Sequence, residues 1–309
     1  MAETIEISIV SPVYKAENIV DDLVLRLKET LKILNVVYEI ILVDDRSPDG
    51  SWEKMKQLSK TNPEVKSIRL SRNFGQHPAI MAGLSQAKGN WIVVMDCDLQ
   101  DQPKEIIKLY NKAQEGFDVV LAKRTKRKDS FLKKYTSKLF YIFFNYFSGI
   151  SIDNEIANFG VYHKKVIKNV LQIGDKISFF PLFVNWVGYK QTAIHVEHAE
   201  RIEGKSSYSY LTLFKLAFNT IISFSDRPLR LFLNFGILVS TLSFLAAIYV
   251  FFQAIFNKIE VMGYASIFIG ICFFSGIIIT ILGITGIYLG KVFNQVKNRP
   301  LYIVDELHD

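Results

Sequence analysis

Apolar side chains in the first third of the chain follow two spacings. Residues 5–10 and 39–43 are short apolar or β-branched runs that end in the polar pairs Ser11-Pro12 and Asp44-Asp45. Between them, Ile19, Leu23, Leu27, Leu31 and Leu34 stand three or four apart, which is the period of an amphipathic helix over 18–34. This strand, helix, strand unit is followed by a helix at 52–60, a strand at 65–70, a helix at 78–87, a strand at 90–95, a helix at 103–115 and a strand at 118–122. Pro103 suits the first turn of its helix, where a missing N–H breaks no bond. Such alternation predicts an α/β domain with a mostly parallel sheet, whose ligands gather beyond the carboxyl ends of the strands. The loops to watch are therefore 12–17, 44–51, 71–77, 96–101 and 123–128. None is a Gly-rich phosphate loop of the Rossmann or Walker type, which speaks against dinucleotide oxidoreductases and P-loop nucleotidases.

Further along, the texture changes. Residues 231–257 and 261–290 contain no Asp, Glu, Lys or Arg, and each run exceeds the roughly 20 residues that span a bilayer as a helix. Only Lys258, Ile259 and Glu260 separate them, so the pair reads as an antiparallel transmembrane hairpin, with helices at about 231–256 and 264–289. Arg227 and Arg230 precede it and Lys291, Lys297 and Arg299 follow, against Lys258 in the turn. The positive-inside bias then puts both ends in the cytoplasm. The domain reading is a cytoplasmic domain at 1–230, the hairpin at 231–290 and a cytoplasmic tail at 291–309, in a multi-pass protein of the inner (cytoplasmic) membrane. Two segments, near 131–147 and 211–224, mix aromatic and aliphatic residues with basic ones and suit a lipid headgroup boundary. The alternative for each is a buried helix with a solvated, charged end.

Charge sharpens this picture. The 309 residues carry 37 Lys and Arg against 30 Asp and Glu, and 33 of the basic residues fall before position 231. The densest stretch, 123–138, borders the aromatic run 139–147, so anionic lipid and phosphate explain it more economically than nucleic acid. Cys97 and Cys272 lie in different textures, which argues against a disulfide framework or a cysteine-ligated metal. The acidic start of the chain leads straight into a strand, and no cleavable signal peptide is read there.

Candidate chemistry concentrates in acids at strand ends. Asp96 and Asp98 follow the apolar run Trp91-Ile92-Val93-Val94-Met95, and two carboxylates so close repel one another unless a cation or hydrogen bonds compensate. A divalent ion held by such a pair keeps coordination positions open for diphosphate oxygens. The competing reading is that they cap the next helix or are solvated. Asp44 and Asp45 open a second cluster that runs into Ser47, Pro48, Asp49 and Gly50, which is turn chemistry. A carboxylate there is also an acceptor for a base N–H or a ribose hydroxyl. His77 and His163 have no second His or Cys at zinc-like spacing and read as polar or helix-flanking residues.

Four ordered segments carry a resemblance: Ser11-Pro12-Val13-Tyr14-Lys15-Ala16-Glu17-Asn18, Val43-Asp44-Asp45-Arg46-Ser47-Pro48-Asp49-Gly50, Leu70-Ser71-Arg72-Asn73-Phe74-Gly75 and Met95-Asp96-Cys97-Asp98-Leu99-Gln100-Asp101-Gln102-Pro103. With the later Arg201-Ile202-Glu203-Gly204-Lys205-Ser206-Ser207-Tyr208, the sequence resembles the polyprenyl-phosphate glycosyltransferases, the group of dolichyl-phosphate mannose synthase and bactoprenol glucosyltransferase. The resemblance covers about residues 5–230, and the two apolar runs are similar to the bactoprenol branch. It implies a GT-A (nucleotide-diphospho-sugar transferase) fold and an inverting transfer of one sugar, from a nucleotide diphosphate sugar such as UDP-glucose to polyprenyl (undecaprenyl) phosphate, with Mg2+ or Mn2+. The product would serve cell-surface glycan or lipopolysaccharide modification. Carried over residue by residue, Pro12, Tyr14, Glu17, Asp44, Asp45, Asn73 and Asp96 would serve the nucleotide, Asp96 and Asp98 the metal, and Gln100 the donor sugar. Arg124, Arg127, Arg201, Ser206 and Tyr208 would serve the acceptor phosphate or the diphosphate.

One element departs from the family. Where relatives carry an Asp, a Thr-Gly and then Phe-Arg, this chain has Asp153-Asn154-Glu155-Ile156-Ala157-Asn158-Phe159-Gly160. Phe159 sets the register, Asp153 or Glu155 becomes the catalytic carboxylate beside Asp98, and Gly160 stands where relatives have Arg. Two other readings compete. A processive polysaccharide synthase would need more membrane helices and a Gln-x-x-Arg-Trp element. A non-enzymatic membrane scaffold with a degenerate transferase domain would explain the altered loop but not the intact Asp96 and Asp98 pair.

Overall fold

The computed structural model describes residues 4–124, 156–175, 180–197, 227–255 and 263–309. It divides into a unit built on a sheet, which includes Arg299–Asp309, and a second unit that holds two long helices. In chain order the first unit runs β1 (Ile7–Val13), α1 (Val20–Leu34), β2 (Tyr38–Asp44), α2 (Ser51–Thr61), β3 (Val65–Leu70), α3 (Gln76–Gln86), β4 (Trp91–Val94), α4 (Glu105–Gln114) and β5 (Val119–Arg124). It continues with β6 (Ile156–His163), α5 (Lys164–Gln172), α6 (Phe180–Trp186) and β7 (Gln191–Val196), and closes with β8 (Val304–His308). The second unit holds α7 (Arg227–Ile255) and α8 (Tyr264–Val296).

The eight strands form one sheet in the order β7-β5-β6-β4-β1-β2-β3-β8. β1 lies parallel between β2 and β4, and β3 extends the parallel set. Every residue of β1 is buried, as expected of a central parallel strand covered on both faces. α1 covers one face because Val20, Leu23, Val24, Leu27 and Leu31 share a buried stripe. It stops at Asn35, whose φ of 51° is the left-handed conformation that ends many helices. β1 runs three residues beyond the predicted 5–10, since Ser11 and Pro12 stay buried and pair with Leu42 and Val43.

Three strands escape the sequence pattern. β6 runs antiparallel between β4 and β5, and β7 adds parallel to β5. The segment read as a tail supplies β8, which pairs antiparallel with β3 at the sheet's far edge. α7 and α8 cover most of the two predicted membrane stretches: α7 begins earlier, at Arg227, and ends at Ile255, while α8 runs on to Val296. Among the described residues, Phe274–Val296 is long and apolar enough to cross a membrane. Its Ile279, Leu282 and Leu289 are 69%, 64% and 66% exposed, a contiguous apolar surface that water does not stabilise. Both segments read as interfacial, 131–147 and 211–224, lie outside the described residues.

Candidate active site

Three loops meet beyond the carboxyl ends of β1, β2 and β4, because the register aligns Val13 with Asp44 and Val10 with Val94. The loops after β1 and β2 are zipped together. Lys15 N–H donates to Ser47 Oγ (3.1 Å), Ala16 N–H to Ser51 Oγ (3.0 Å), and Gly50 N–H to Glu17 Oε2 (3.0 Å). Asp45 N–H adds a bond to the Val13 carbonyl (3.0 Å). Lys15, Arg46 and Leu99 each take a positive φ of 55–58°, which costs about 1–3 kcal/mol apiece for residues with a Cβ. Strain of this kind at three converging strand ends points to a working site.

Asp44 is fully buried, with Oδ1 accepting from Ser47 N–H (2.9 Å) and Oδ2 lying 3.4 Å from Arg69 Nε. Asp45 is 3% exposed and takes Phe74 N–H on Oδ1 (2.7 Å) and Gly75 N–H on Oδ2 (2.8 Å). Burial holds the Asp45 carboxyl above its ordinary value, while the two N–H donors pull it back down. These two carboxylates organise loops. Gly75 makes the second arrangement possible, since its φ of 99° lies where only glycine is unstrained.

Asp96, Cys97 and Asp98 leave β4 half-buried. Gln76 Nε2 donates to Asp96 Oδ1 at 2.6 Å, and Gln100 N–H donates to Asp98 Oδ1 at 3.2 Å. Leu99 between them is fully buried and anchors the bend. Burial, reinforced by the Asp96 charge, pushes the Cys97 thiol up to about 12, the direction that disfavours a thiolate nucleophile. Among the described residues, no three His, Cys, Asp or Glu side chains gather as a metal cage. Two carboxylates without a third ligand fit Mg2+ or Mn2+ bound jointly with phosphate oxygens, the usual arrangement for these hard cations at nucleotide sites.

Of the other residues singled out by sequence, Pro12 is buried, Tyr14 is 45% exposed beside the zipped loops, and Asn73 is exposed in the 71–75 loop before α3. Asp153, Glu155, Arg127, Arg201, Ser206 and Tyr208 lie outside the described residues, and Arg124 is described only as the last backbone position of β5. Gly160 lies on β6 opposite Val94. A Cβ there would meet the Tyr162 hydroxyl at 2.9 Å and the Val120 carbonyl at 3.0 Å, so Tyr162 fills the room that a larger residue at 160 would need. Gln76 is the residue that sequence reasoning missed. It opens α3 immediately after the Gly75 bond to Asp45, so one short loop touches both acid clusters.

Comparison with known proteins agrees with this geometry. The Glycosyl transferase family 2 model matches residues 8–171. The chain is 39% identical over 307 residues to the uncharacterized glycosyltransferase YkcC of Bacillus subtilis, covering 99% of this chain and 95% of the relative. It is 34% identical over 305 residues to the undecaprenyl-phosphate 4-deoxy-4-formamido-L-arabinose transferase of Proteus mirabilis (98% and 94% covered). It is 32% identical over 304 residues to the SfII prophage-derived bactoprenol glucosyl transferase of Shigella flexneri (98% of each). In fold it is similar to glucosyl-3-phosphoglycerate synthase from Mycobacterium tuberculosis, with a TM-score of 0.50 at 12% identity over 71% of this chain and 76% of that one. A GT-A-type sheet, its acid-bearing strand ends and near full-length identity to named transferases converge: this chain belongs to glycosyl transferase family 2 and is a glycosyltransferase.

Proposed function

We propose that the protein transfers one sugar, with inversion, from a nucleotide diphosphate sugar to polyprenyl phosphate at a membrane surface, giving a lipid-linked sugar for cell-surface glycan modification. The observation that carries this reading is the half-buried Asp96 and Asp98 pair at the end of β4, in a chain about one-third identical along its length to relatives named for undecaprenyl phosphate and bactoprenol. UDP-glucose is the first donor to test, because one of those relatives is named for glucosyl transfer.

The roles follow from charge and position. Tyr14, Glu17 and the zipped 44–51 turn form the nucleotide side of the site. A bound Mg2+ or Mn2+, held by Asp96 and Asp98, would neutralise charge on the departing diphosphate, worth several kcal/mol at the transition state. The solved relative holding Mn2+ and UDP is consistent with that choice of ion. Gln76 fixes the Asp96 carboxylate, and Gln100 lies next to Asp98 for the sugar hydroxyls. Lipid phosphate is already an anion near neutral pH, so it needs placement more than deprotonation, and proximity does much of the catalysis. Arg124, Arg127, Arg201, Ser206 and Tyr208 are assigned to that placement or to the diphosphate, and Asp153 or Glu155 to the carboxylate near the reacting carbon.

Membrane attachment through 231–290, with the catalytic domain on the cytoplasmic side, is part of the same reading. The exposed apolar surface of α8 and the basic residues flanking the helices support it. The direct assay incubates radiolabelled nucleotide sugars with membranes and polyprenyl phosphate, with and without chelator. Lipid-extractable label that disappears on chelation is the expected result. Metal-independent transfer, or no lipid product across a donor panel, would overturn it.

A further inference from the structure

β8 does more than cover an edge. A strand that only protects a sheet needs its ladder to β3 and nothing else, yet the side chains of residues 302–309 reach well past that ladder. Arg46, in the strained turn after β2, is paired with Asp305 at 2.6 Å. Arg69 lies between the buried Asp44 (3.4 Å) and Glu306 (3.5 Å), so one guanidinium joins the C-terminal strand to the carboxylate that sets the turn. His308 packs on Trp52 of α2, the helix that the same turn leads into, with ring centroids 5.7 Å apart. Ser71 N–H donates to the Ile303 carbonyl (2.9 Å) just before the loop that engages both acid clusters.

The ladder itself is built for this reach. Arg69 pairs with Glu306 but Leu70 pairs with Val304, which leaves Asp305 as the extra residue of a bulge. A bulge re-aims a side chain and recurs beside functional sites. Here the released residue is the one that holds Arg46.

We infer that β8 is a working part of the donor-nucleotide site, with Asp305 and Glu306 acting as positioning residues that fix the Asp44–Arg46 turn through Arg46 and Arg69. The inference rests on the proposed nucleotide role of that turn. Neither acid touches the nucleotide: each acts through an arginine.

The test uses full-length protein in detergent or nanodiscs, with UDP and GDP as probes in calorimetry and the sugar donor that proves active in kinetics. Asp305→Ala combined with Glu306→Ala is expected to raise the Kd of the preferred diphosphate and the donor KM about fivefold, near the upper range for partly exposed ion pairs. kcat and the KM for polyprenyl phosphate should stay within about twofold, and Asp305→Glu should keep most of the affinity that the single Asp305→Ala loses. Reversing the pair, with Arg46→Asp and Asp305→Arg together, should bind better than either change alone. Nucleotide affinity unchanged in the double alanine variant overturns the inference, and so does a loss spread equally over kcat, both KM values and melting temperature. Wild-type protein that binds neither diphosphate overturns the proposed function itself, a result separate from wild-type binding that the variants leave untouched.

Discussion

The acids at the end of β2 and those at the end of β4 flank the same central strand, yet they are used in opposite ways. Asp44 and Asp45 are buried and spend their oxygens on Ser47, Phe74, Gly75 and Arg69. Asp96 and Asp98 remain half-buried, with Gln76 donating to the first and the Gln100 N–H to the second. A carboxylate that satisfies several N–H groups shapes backbone, whereas one left at a boundary can still meet a cation. The lesson is that two motifs alike in composition differ in burial, and on the proposed reading that difference separates scaffold from chemistry.

This contrast can be broken experimentally, and the largest effect should come from the β4 side. Asp98→Asn is expected to lower sugar transfer about 10²–10³-fold, the scale for losing a key transition-state charge partner. Thermal stability of the purified protein should hardly change. Full retention of label in the lipid extract would remove Asp98 from the chemistry.

Asp45→Ala should show the reverse profile. Two N–H groups lose their acceptor in a buried setting, which costs about 2–4 kcal/mol. Denaturant unfolding would register it as a lower midpoint, and an unshifted midpoint would mean that Asp45 does not organise the 71–75 loop.

Gln76→Ala probes the bridge between the clusters. Losing a hydrogen bond to an ionised carboxylate is expected to reduce kcat about tenfold, with little change in melting temperature. A purely thermal defect would assign Gln76 to the scaffold instead.

The smallest effect concerns pH. Burial lowers His77, the second residue of α3, to about 4 from an ordinary value of 6.5. Between those values the unfolded chain binds more protons than the folded one, so stability is full above about pH 6.5 and is lost as pH falls toward 4. Unfolding midpoints measured across that window should decline with acid in the wild type and flatten in His77→Gln. A slope unaltered by the substitution would place the acid sensitivity elsewhere.

Much of the parallel core was legible because its strands are continuous apolar runs and its helices repeat at three and four. The Asp96 and Asp98 pair was legible for a related reason: an acid directly after the apolar run Trp91–Met95 has to emerge at a strand end. The backbone partners of Asp44 and Asp45 were not, since spacing cannot say whether a carboxylate turns toward backbone or solvent. Gln76 left no trace, because a lone glutamine carries no motif and its role exists only once α3 is folded beside β4. β6 hid inside a stretch read as a loop variant, and Gly160 acquires a reason only when Tyr162 is seen filling the space next to it. β8, Val-Asp-Glu-Leu-His, is too polar to announce a strand. Its pairing with residues 67–70 spans more than 230 positions and follows from tertiary contact alone.

That last strand also sets a rule of parity. The chain leaves the sheet after Val196 and is woven back into it at Val304, so on the proposed membrane reading it crosses the bilayer an even number of times in between. On that reading Phe274–Val296 needs a second passage to answer it, for which α7 is the ready counterpart.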